Sequence, residues 1–161
     1  MFDPDVVDPA VDLLAEMAGH GAALEFGIGT GRIALPLHRR GVPVHGIDLS
    51  EDMVAILRAK PEADGIDVTV GDFATATVNR TFALVYLLYN TITNLTTQDE
   101  QVACFANAAA HLDPGGTFVL EVYIPELRRL PPGENIYPFT VTPTHLGFDE
   151  LDVVTQSMTS H

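Results

Sequence analysis

The chain has 161 residues, 47% of them hydrophobic, which is enough for one globular domain with a buried core. Eight Lys and Arg stand against 22 Asp and Glu, so the formal net charge is −14. Because such a surface would repel phosphate backbones and anionic membranes, the composition argues against nucleic-acid and membrane partners.

The N-terminal residues MFDPDVVDPAVD are acidic where a secretory signal is basic, and no apolar run of about 18 residues follows. We therefore predict a cytoplasmic protein. Cys104 is the single cysteine, in the apolar segment VACFANAAA, and we assign it no chemistry. No two histidines have zinc-ligand spacing on a helix, so we predict no metal site.

Helix-like and strand-like hydrophobic patterns alternate along the chain, which is typical of a parallel sheet covered by helices. Asp8 as N-cap and Pro9 at the first helical position predict a first helix that ends at Gly19. Residues 22–26 are the first predicted strand. A glycine-containing loop leads from this strand into a helix that begins at about Arg32.

The next two predicted strands are each followed by an acidic residue. Residues 42–47 form the second strand and lead to Asp48, after which Ser50 can cap a helix. The alternating run over residues 66–70 predicts the third strand, which leads to Asp72.

The apolar run FALVYLL, residues 82–88, predicts a fourth strand in the middle of a parallel sheet. Thr97 and Glu100 form a capping-box pattern that opens a helix. After the turn sequence DPGG, residues 117–123 are the fifth predicted strand, and residues 139–161 are expected to form one or two strands. The predicted fold class is therefore α/β, doubly wound and mostly parallel.

Three glycines alternate directly after the first predicted strand, at the start of a helix. Without a Cβ atom, Gly27, Gly29 and Gly31 allow a tight turn and a close approach of the backbone to a ligand. Asp48 stands 21 residues after Gly27, at the end of the next strand, where its carboxylate can accept hydrogen bonds from ribose hydroxyls. The pattern predicts a cofactor that contains ribose.

The motif E-x-G-x-G-x-G resembles motif I of the class I methyltransferases that use S-adenosylmethionine. The similarity continues through GIDLSEDM, GDFA, LVYLLYNTITNL and HLDPGGTFVLEVYIP, and so covers residues 22–125. The resemblance implies a Rossmann-like sheet of order 3-2-1-4-5 with helices on both faces. It also implies an S-adenosylmethionine-binding core over residues 1–125, a C-terminal extension of the same domain over residues 126–161, and S-adenosylhomocysteine as product.

The resemblance assigns cofactor-binding roles to the residues of motif I and to the acid after the second strand. Glu25 would hold the cationic methionine end of the cofactor, and Gly27, Gly29 and Gly31 would leave room for its methionine and ribose portions. Asp48 would bind the ribose hydroxyls.

Four further residues would surround the adenine base. Leu49 and Met53 would flank the ring, and Asp72 would receive its amino group beside Phe73. The alternatives are that Asp72 caps a turn and that Phe73 is an ordinary core residue.

The loop after the fourth strand is where this family positions the donor methyl group. Tyr89, Asn90, Thr91 and Asn94 are therefore candidates for lining the reaction centre, although Asn90 is also a common turn residue. Tyr89 would also contact the cofactor. Asn90 and His145 are the candidate catalytic residues, with His145 as a base acting on the acceptor.

The expected reaction is methyl transfer to oxygen or nitrogen of a small-molecule acceptor. The loop lacks the Asn/Asp-Pro-Pro-aromatic motif associated with methylation of glutamine or nucleobases. An NAD-dependent oxidoreductase is the enzymatic alternative, although Arg32 occupies the position where a dinucleotide motif requires glycine or alanine. A further alternative is a truncated fragment that binds the cofactor without turnover.

The family sheet has seven strands, the last two forming a hairpin, whereas this chain ends at His161. We therefore expect incomplete C-terminal strands. Unpaired strand edges can associate with a second copy, so we also expect a homodimer through residues 137–161.

Overall fold

The computed structural model describes residues 4–123, 133–152, 154–155 and 157–161. The chain divides into two compact units, Met1–Tyr123 and Ile124–His161. The predicted boundary between core and extension, at residue 125, lies outside the described residues.

The first unit contains a five-stranded parallel sheet in the order β3-β2-β1-β4-β5. This confirms the predicted doubly wound α/β fold. Two short 3-10 helices, Pro61–Ala63 and Thr91–Asn94, lie in its connections. The helices and strands are α1 (Pro4–Ala18), β1 (Ala23–Phe26), α2 (Ala34–Arg39), β2 (Val44–Asp48), α3 (Glu51–Arg58), β3 (Asp67–Val70), β4 (Phe82–Leu87), α4 (Gln98–Ala110) and β5 (Leu112–Leu120).

Two apolar clusters fill this unit, one on each face of the sheet. The first includes Leu14 of α1 and Leu37 of α2, whereas the second includes Ala108 of α4. All four residues of β1 are buried, as expected of a central strand covered on both faces. The ends of the central strands β1 and β4 are thereby fixed next to each other.

The predicted start of the first helix is wrong, because α1 already includes Pro4. Asp8 is therefore not an N-cap, and its carboxylate accepts a hydrogen bond from Arg40 at 3.1 Å. Pro9 lies inside the helix, where it removes one intrahelical hydrogen bond. The helix continues through it because one side stays buried, through Val7, Val11, Leu14 and Ala18.

The fifth strand also differs from the prediction, since β5 begins at Leu112 rather than at residue 117. The DPGG segment is part of β5, and the pairing register of β5 with β4 shifts between Phe82 and Leu84. Leu112 pairs with Phe82, so strand pairing begins before the glycines, which a turn signal in the sequence does not reveal.

The second unit contains an antiparallel sheet of three strands: β6 (Ile136–Thr142), β7 (His145–Asp152) and β8 (Ser157–Ser160). The expectation of one or two strands is therefore wrong. Most side chains of these strands are exposed, which weakens the alternation that marks a half-buried strand. The homodimer expected through this segment stays a prediction. Among the described residues, no helix is long and apolar enough to cross a membrane.

Candidate functional site

A cavity of about 220 Å³ opens at the carboxyl ends of β1 and β4. The glycine loop after β1 forms one wall, and the loop after β4 forms another. Its lining residues are Glu25, Phe26, Gly27, Ile28, Gly29, Thr30, Arg32, Met53, Leu88, Tyr89 and Thr91. This end of a parallel sheet, beside the switch in strand order, is where doubly wound folds bind their ligands.

The three glycines after β1 have different surroundings. A Cβ atom on Gly29 would meet nothing closer than Cε of Met53 at 3.9 Å, an ordinary van der Waals contact, and Gly29 lines the cavity. A Cβ on Gly27 would lie 2.7 Å from Cγ2 of Thr91, and one on Gly31 would lie 2.5 Å from Cδ1 of Leu57. Gly27 therefore permits contact with the loop after β4, whereas Gly31 permits packing against α3. Gly31 does not line the cavity.

The carboxylate of Asp48 is held in one orientation at the end of β2. Its Oδ2 accepts a hydrogen bond from the Gly29 N–H at 2.6 Å, and its Oδ1 accepts one from the Ser50 N–H at 2.9 Å. Each oxygen of an ionised carboxylate has about two lone-pair sites, so each retains acceptor capacity. Gly29 and Asp48, which the sequence analysis placed in one site, are thus joined by a direct hydrogen bond.

Glu25 lies at the buried end of the cavity and is only 6% exposed. Its Oε2 accepts a hydrogen bond of 2.9 Å from the hydroxyl of Tyr86, which is fully buried. Burial raises the pKa of Glu25 to about 8, against the opposing effect of the Tyr86 hydrogen bond. Near neutral pH this carboxyl is therefore mostly protonated in the free protein.

The residues predicted around adenine lie at the neighbouring strand ends, and only Met53 among them also lines the cavity. Leu49 is 71% exposed, beside Asp48. Asp72 accepts a hydrogen bond from the Ala74 N–H at 2.8 Å, which caps the turn after β3. Phe73 is buried and stacks on Phe26 with ring centroids 5.9 Å apart.

The loop after β4 is held in an unusual conformation beside the cavity. Tyr89 and Asn90 have φ values of +56° and +63°, the left-handed region that residues with a Cβ rarely adopt. Two contacts to β5 and its exit hold the loop: the Tyr89 N–H donates to Glu121 at 3.0 Å, and the Tyr123 N–H donates to the Asn90 side-chain oxygen at 2.7 Å.

Arg32 forms the opposite side of this part of the cavity. Its guanidinium lies 4.4 Å from the centroid of the Tyr89 ring, a cation–π distance. Asn90 and Asn94 are not among the cavity-lining residues. His145 belongs to the second unit, at the start of β7.

Three residues of this site were missed by the sequence analysis. Tyr86 looked like one apolar residue in a buried strand, and its pairing with Glu25 follows from the register of β1 against β4. Glu121 lies beyond the last residue of β5, and the resemblance of its segment to the family assigned it no role. Arg32 was considered only as an obstacle to a dinucleotide motif, although its place directly after the glycine run was a usable signal.

The family model described as a methyltransferase domain matches residues 23–116, from β1 into β5. The chain belongs to the class I S-adenosylmethionine-dependent methyltransferases. S-Adenosylmethionine is the cofactor of this methyltransferase, and the dinucleotide alternative finds no support among the matches.

Three similar proteins illustrate the relationship. The cypemycin N-terminal methyltransferase of a Streptomyces species is 30% identical over 98% of this chain and 71% of its own length. The solved structure of the CcbJ methyltransferase from Streptomyces caelestis is 34% identical, with a TM-score of 0.85 over 99% of this chain and 71% of that one. An amino pentose methyltransferase of calicheamicin biosynthesis from Micromonospora echinaspora, solved with bound S-adenosylmethionine, is 26% identical, with a TM-score of 0.72 over 92% of this chain and 64% of that one. The methyltransferase thus spans about two thirds of the length of these relatives.

Proposed function

We propose that this methyltransferase transfers a methyl group to an amine nitrogen of a small-molecule acceptor. The observation that carries the proposal is the cavity at the ends of β1 and β4, which combines a buried carboxyl with a glycine backbone open to a ligand. The names of two similar proteins refer to groups that can carry an amine: one is the cypemycin N-terminal methyltransferase and the other is an amino pentose methyltransferase.

Asp48 and Glu25 are suited to the two polar ends of the cofactor. The fixed carboxylate of Asp48 keeps acceptor capacity on both oxygens, which suits a pair of ribose hydroxyls. Glu25 is a carboxyl at the enclosed end of the cavity, which suits the ammonium of the methionine moiety. Gly29 donates its N–H to Asp48 and lines the same cavity as Glu25, so a ligand that spans both carboxyl groups would lie against this backbone.

The bound cofactor supplies an electrophilic methyl group on a sulfonium centre. The protein must hold the acceptor nitrogen close to that group and in line with it, and positioning alone can contribute a large part of the rate. We assign this task to the Tyr89 loop, because its left-handed backbone is braced by Glu121 and its ring is packed under Arg32. The roles of Asn90 and His145 as catalytic groups remain predictions.

The charge of the protein favours an amine over an alcohol. A net charge of −14 creates a field that attracts cationic acceptors and raises their local concentration. Alcohols and sugars without an amine gain nothing from this field.

Matched acceptor pairs test the proposal. The purified 161-residue protein would be incubated with S-adenosylmethionine and either an amino sugar or the corresponding hydroxy sugar, and either a free peptide or its N-acetylated form. We expect methylated product, detected by mass spectrometry, only from the members with a free amine. Gly29→Val, which adds a branched side chain to a residue that lines the cavity, is the inactive control. Methylation of the hydroxy sugar alone would contradict nitrogen transfer, and binding of S-adenosylhomocysteine without any turnover would indicate a cofactor-binding fragment.

A further inference from the structure

Glu25 and Tyr86 form a buried polar pair beneath the cofactor cavity. They are direct neighbours in the pairing of β1 with β4, and the Tyr86 hydroxyl donates to Oε2 of Glu25 at 2.9 Å. Tyr86 has no exposed surface, and Glu25 reaches the cavity at its enclosed end. A carboxyl in this position has little contact with solvent, so its charged form depends on neighbouring protein groups or on a bound cation.

We infer that this pair is a proton-exchanging subsite, in which the α-ammonium of the bound cofactor displaces one proton from Glu25 into solvent. Tyr86 is the positioning residue that holds the resulting carboxylate. The inference rests on the proposed placement of the methionine moiety at Glu25. It goes further in assigning a role to Tyr86 and a proton count to the binding step.

The proton balance follows from the groups present. The free protein carries a neutral carboxyl, and the free ligand carries an α-ammonium group that is charged at neutral pH. Before binding there are two titratable protons, one on the Glu25 carboxyl and one on the ligand ammonium. The bound pair keeps one of them, shared between the carboxylate oxygen and the amine nitrogen, and the other is released to solvent. This count is the same whether the shared proton lies on oxygen or on nitrogen.

The groups that face Glu25 come from every element around it. Asp48 on β2 raises the pKa of Glu25 by its negative charge, whereas the Tyr86 hydroxyl on β4 and the Ala34 N–H at the start of α2 lower it. Arg32 lines the same cavity from the glycine loop. Burial is the largest influence and raises the pKa to about 8, so a ligand cation placed beside Glu25 would favour the ionised form.

Tyr86 contributes to cofactor binding by stabilising the ionised form of Glu25. An O–H donor to an ionised carboxylate is a charge-assisted hydrogen bond, which is stronger than the same bond to a neutral carboxyl. Tyr86 therefore favours the state that binds the ammonium, and Tyr86→Phe removes this preference while keeping the buried ring.

Calorimetry with two ligands tests the inference without measuring methyl transfer. S-Adenosylhomocysteine carries the α-ammonium, whereas 5′-methylthioadenosine shares its adenosine and thioether but lacks the amino acid. Each is titrated at pH 7 in phosphate and in Tris, and the dependence of the binding enthalpy on the buffer's ionisation enthalpy gives the number of protons released. We expect release of about one proton for the first ligand and about none for the second.

The variants separate positioning from simple structural support. Glu25→Gln should abolish proton release by S-adenosylhomocysteine, and the exposed Glu16→Gln should leave it unchanged. Tyr86→Phe should weaken S-adenosylhomocysteine about tenfold or more, as expected for loss of a hydrogen bond to a charged group, with less than about a twofold effect on 5′-methylthioadenosine. A purely structural role of Tyr86 would weaken both ligands alike.

The outcomes that overturn the inference are distinct from those that overturn the proposed function. If both ligands bind and neither enthalpy depends on the buffer, the proton exchange is refuted and the cofactor site stands. Unchanged proton release in Glu25→Gln refutes it as well, because the proton would then come from the ligand alone. If neither ligand binds, the proposed function fails together with the inference.

Discussion

The same substitution at three glycines should produce three different results. Gly31 and Gly41 both have positive φ values, +81° and +87°, but a Cβ on Gly31 would lie 2.5 Å from Leu57 whereas one on Gly41 would meet nothing within 4 Å. Gly41→Ala therefore measures the cost of the left-handed backbone alone, about 1 to 2 kcal/mol. Gly31→Ala adds overpacking of about 1 to 3 kcal/mol, for a total of about 2 to 5 kcal/mol.

Gly29→Ala provides the functional comparison. Its φ of +52° implies a backbone cost similar to that of Gly41→Ala, since a Cβ there has no neighbour closer than 3.9 Å. The added methyl group enters the space that we assign to the cofactor, so binding of S-adenosylhomocysteine should weaken about tenfold or more, which corresponds to about 1.4 kcal/mol. Gly31→Ala and Gly41→Ala should retain their affinity for S-adenosylhomocysteine at temperatures below their Tm.

Thermal unfolding and titration calorimetry provide the measurements. In a protein of this size, each kcal/mol lowers the Tm by about 2 to 4 °C, so Gly31→Ala should lose about 4 to 20 °C and the other two about 2 to 8 °C. Equal stability of Gly31→Ala and Gly41→Ala would refute the packing role of Gly31. Undiminished affinity of Gly29→Ala would refute the placement of the ligand beside Gly29.

Three further predictions concern the ribose acceptor, the contact between loops and the buried carboxyl. Asp48→Ala should weaken S-adenosylhomocysteine by about 10- to 100-fold or more through the loss of hydrogen bonds to a charged group, whereas Asp52→Ala should not; equal effects on calorimetric affinity would contradict this. Gly27→Ala should lower the Tm. Adding Thr91→Ser, which removes the clashing Cγ2 but keeps the hydroxyl, should restore part of the loss in the double variant, and a double variant no more stable than Gly27→Ala would disprove the contact. Because the folded pKa of Glu25 is about 8 and its ordinary value 4.5, its neutral form stabilises the fold at low pH and this contribution is lost as the pH rises. In urea unfolding, Glu25→Gln should therefore become progressively more stable relative to the parent protein as the pH rises from about 5 to 8, and a pH-independent difference would refute the shift.

Local patterns in the sequence were sufficient for much of the fold. Ser50 caps α3 through the Met53 N–H, and the predicted capping box at α4 is present with both of its hydrogen bonds between Thr97 and Glu100. These interactions join residues three positions apart, so the sequence alone specifies them. The alternation of strands and helices likewise predicted the parallel sheet, because buried parallel strands require covering helices between them, and the family resemblance supplied its strand order.

The sequence by itself determined the kind of site: a glycine loop after the first strand and an acid after the second, at one end of a sheet. Only the tertiary structure decided what each residue there contacts. Glu25 and Tyr86 are 61 positions apart and meet through strand register, and Gly31 faces Leu57 because α3 packs against the loop. The brace between Tyr89 and Glu121 likewise depends on the pairing of β4 with β5. Such contacts follow from register and packing between distant segments, and no local pattern of residue types records them.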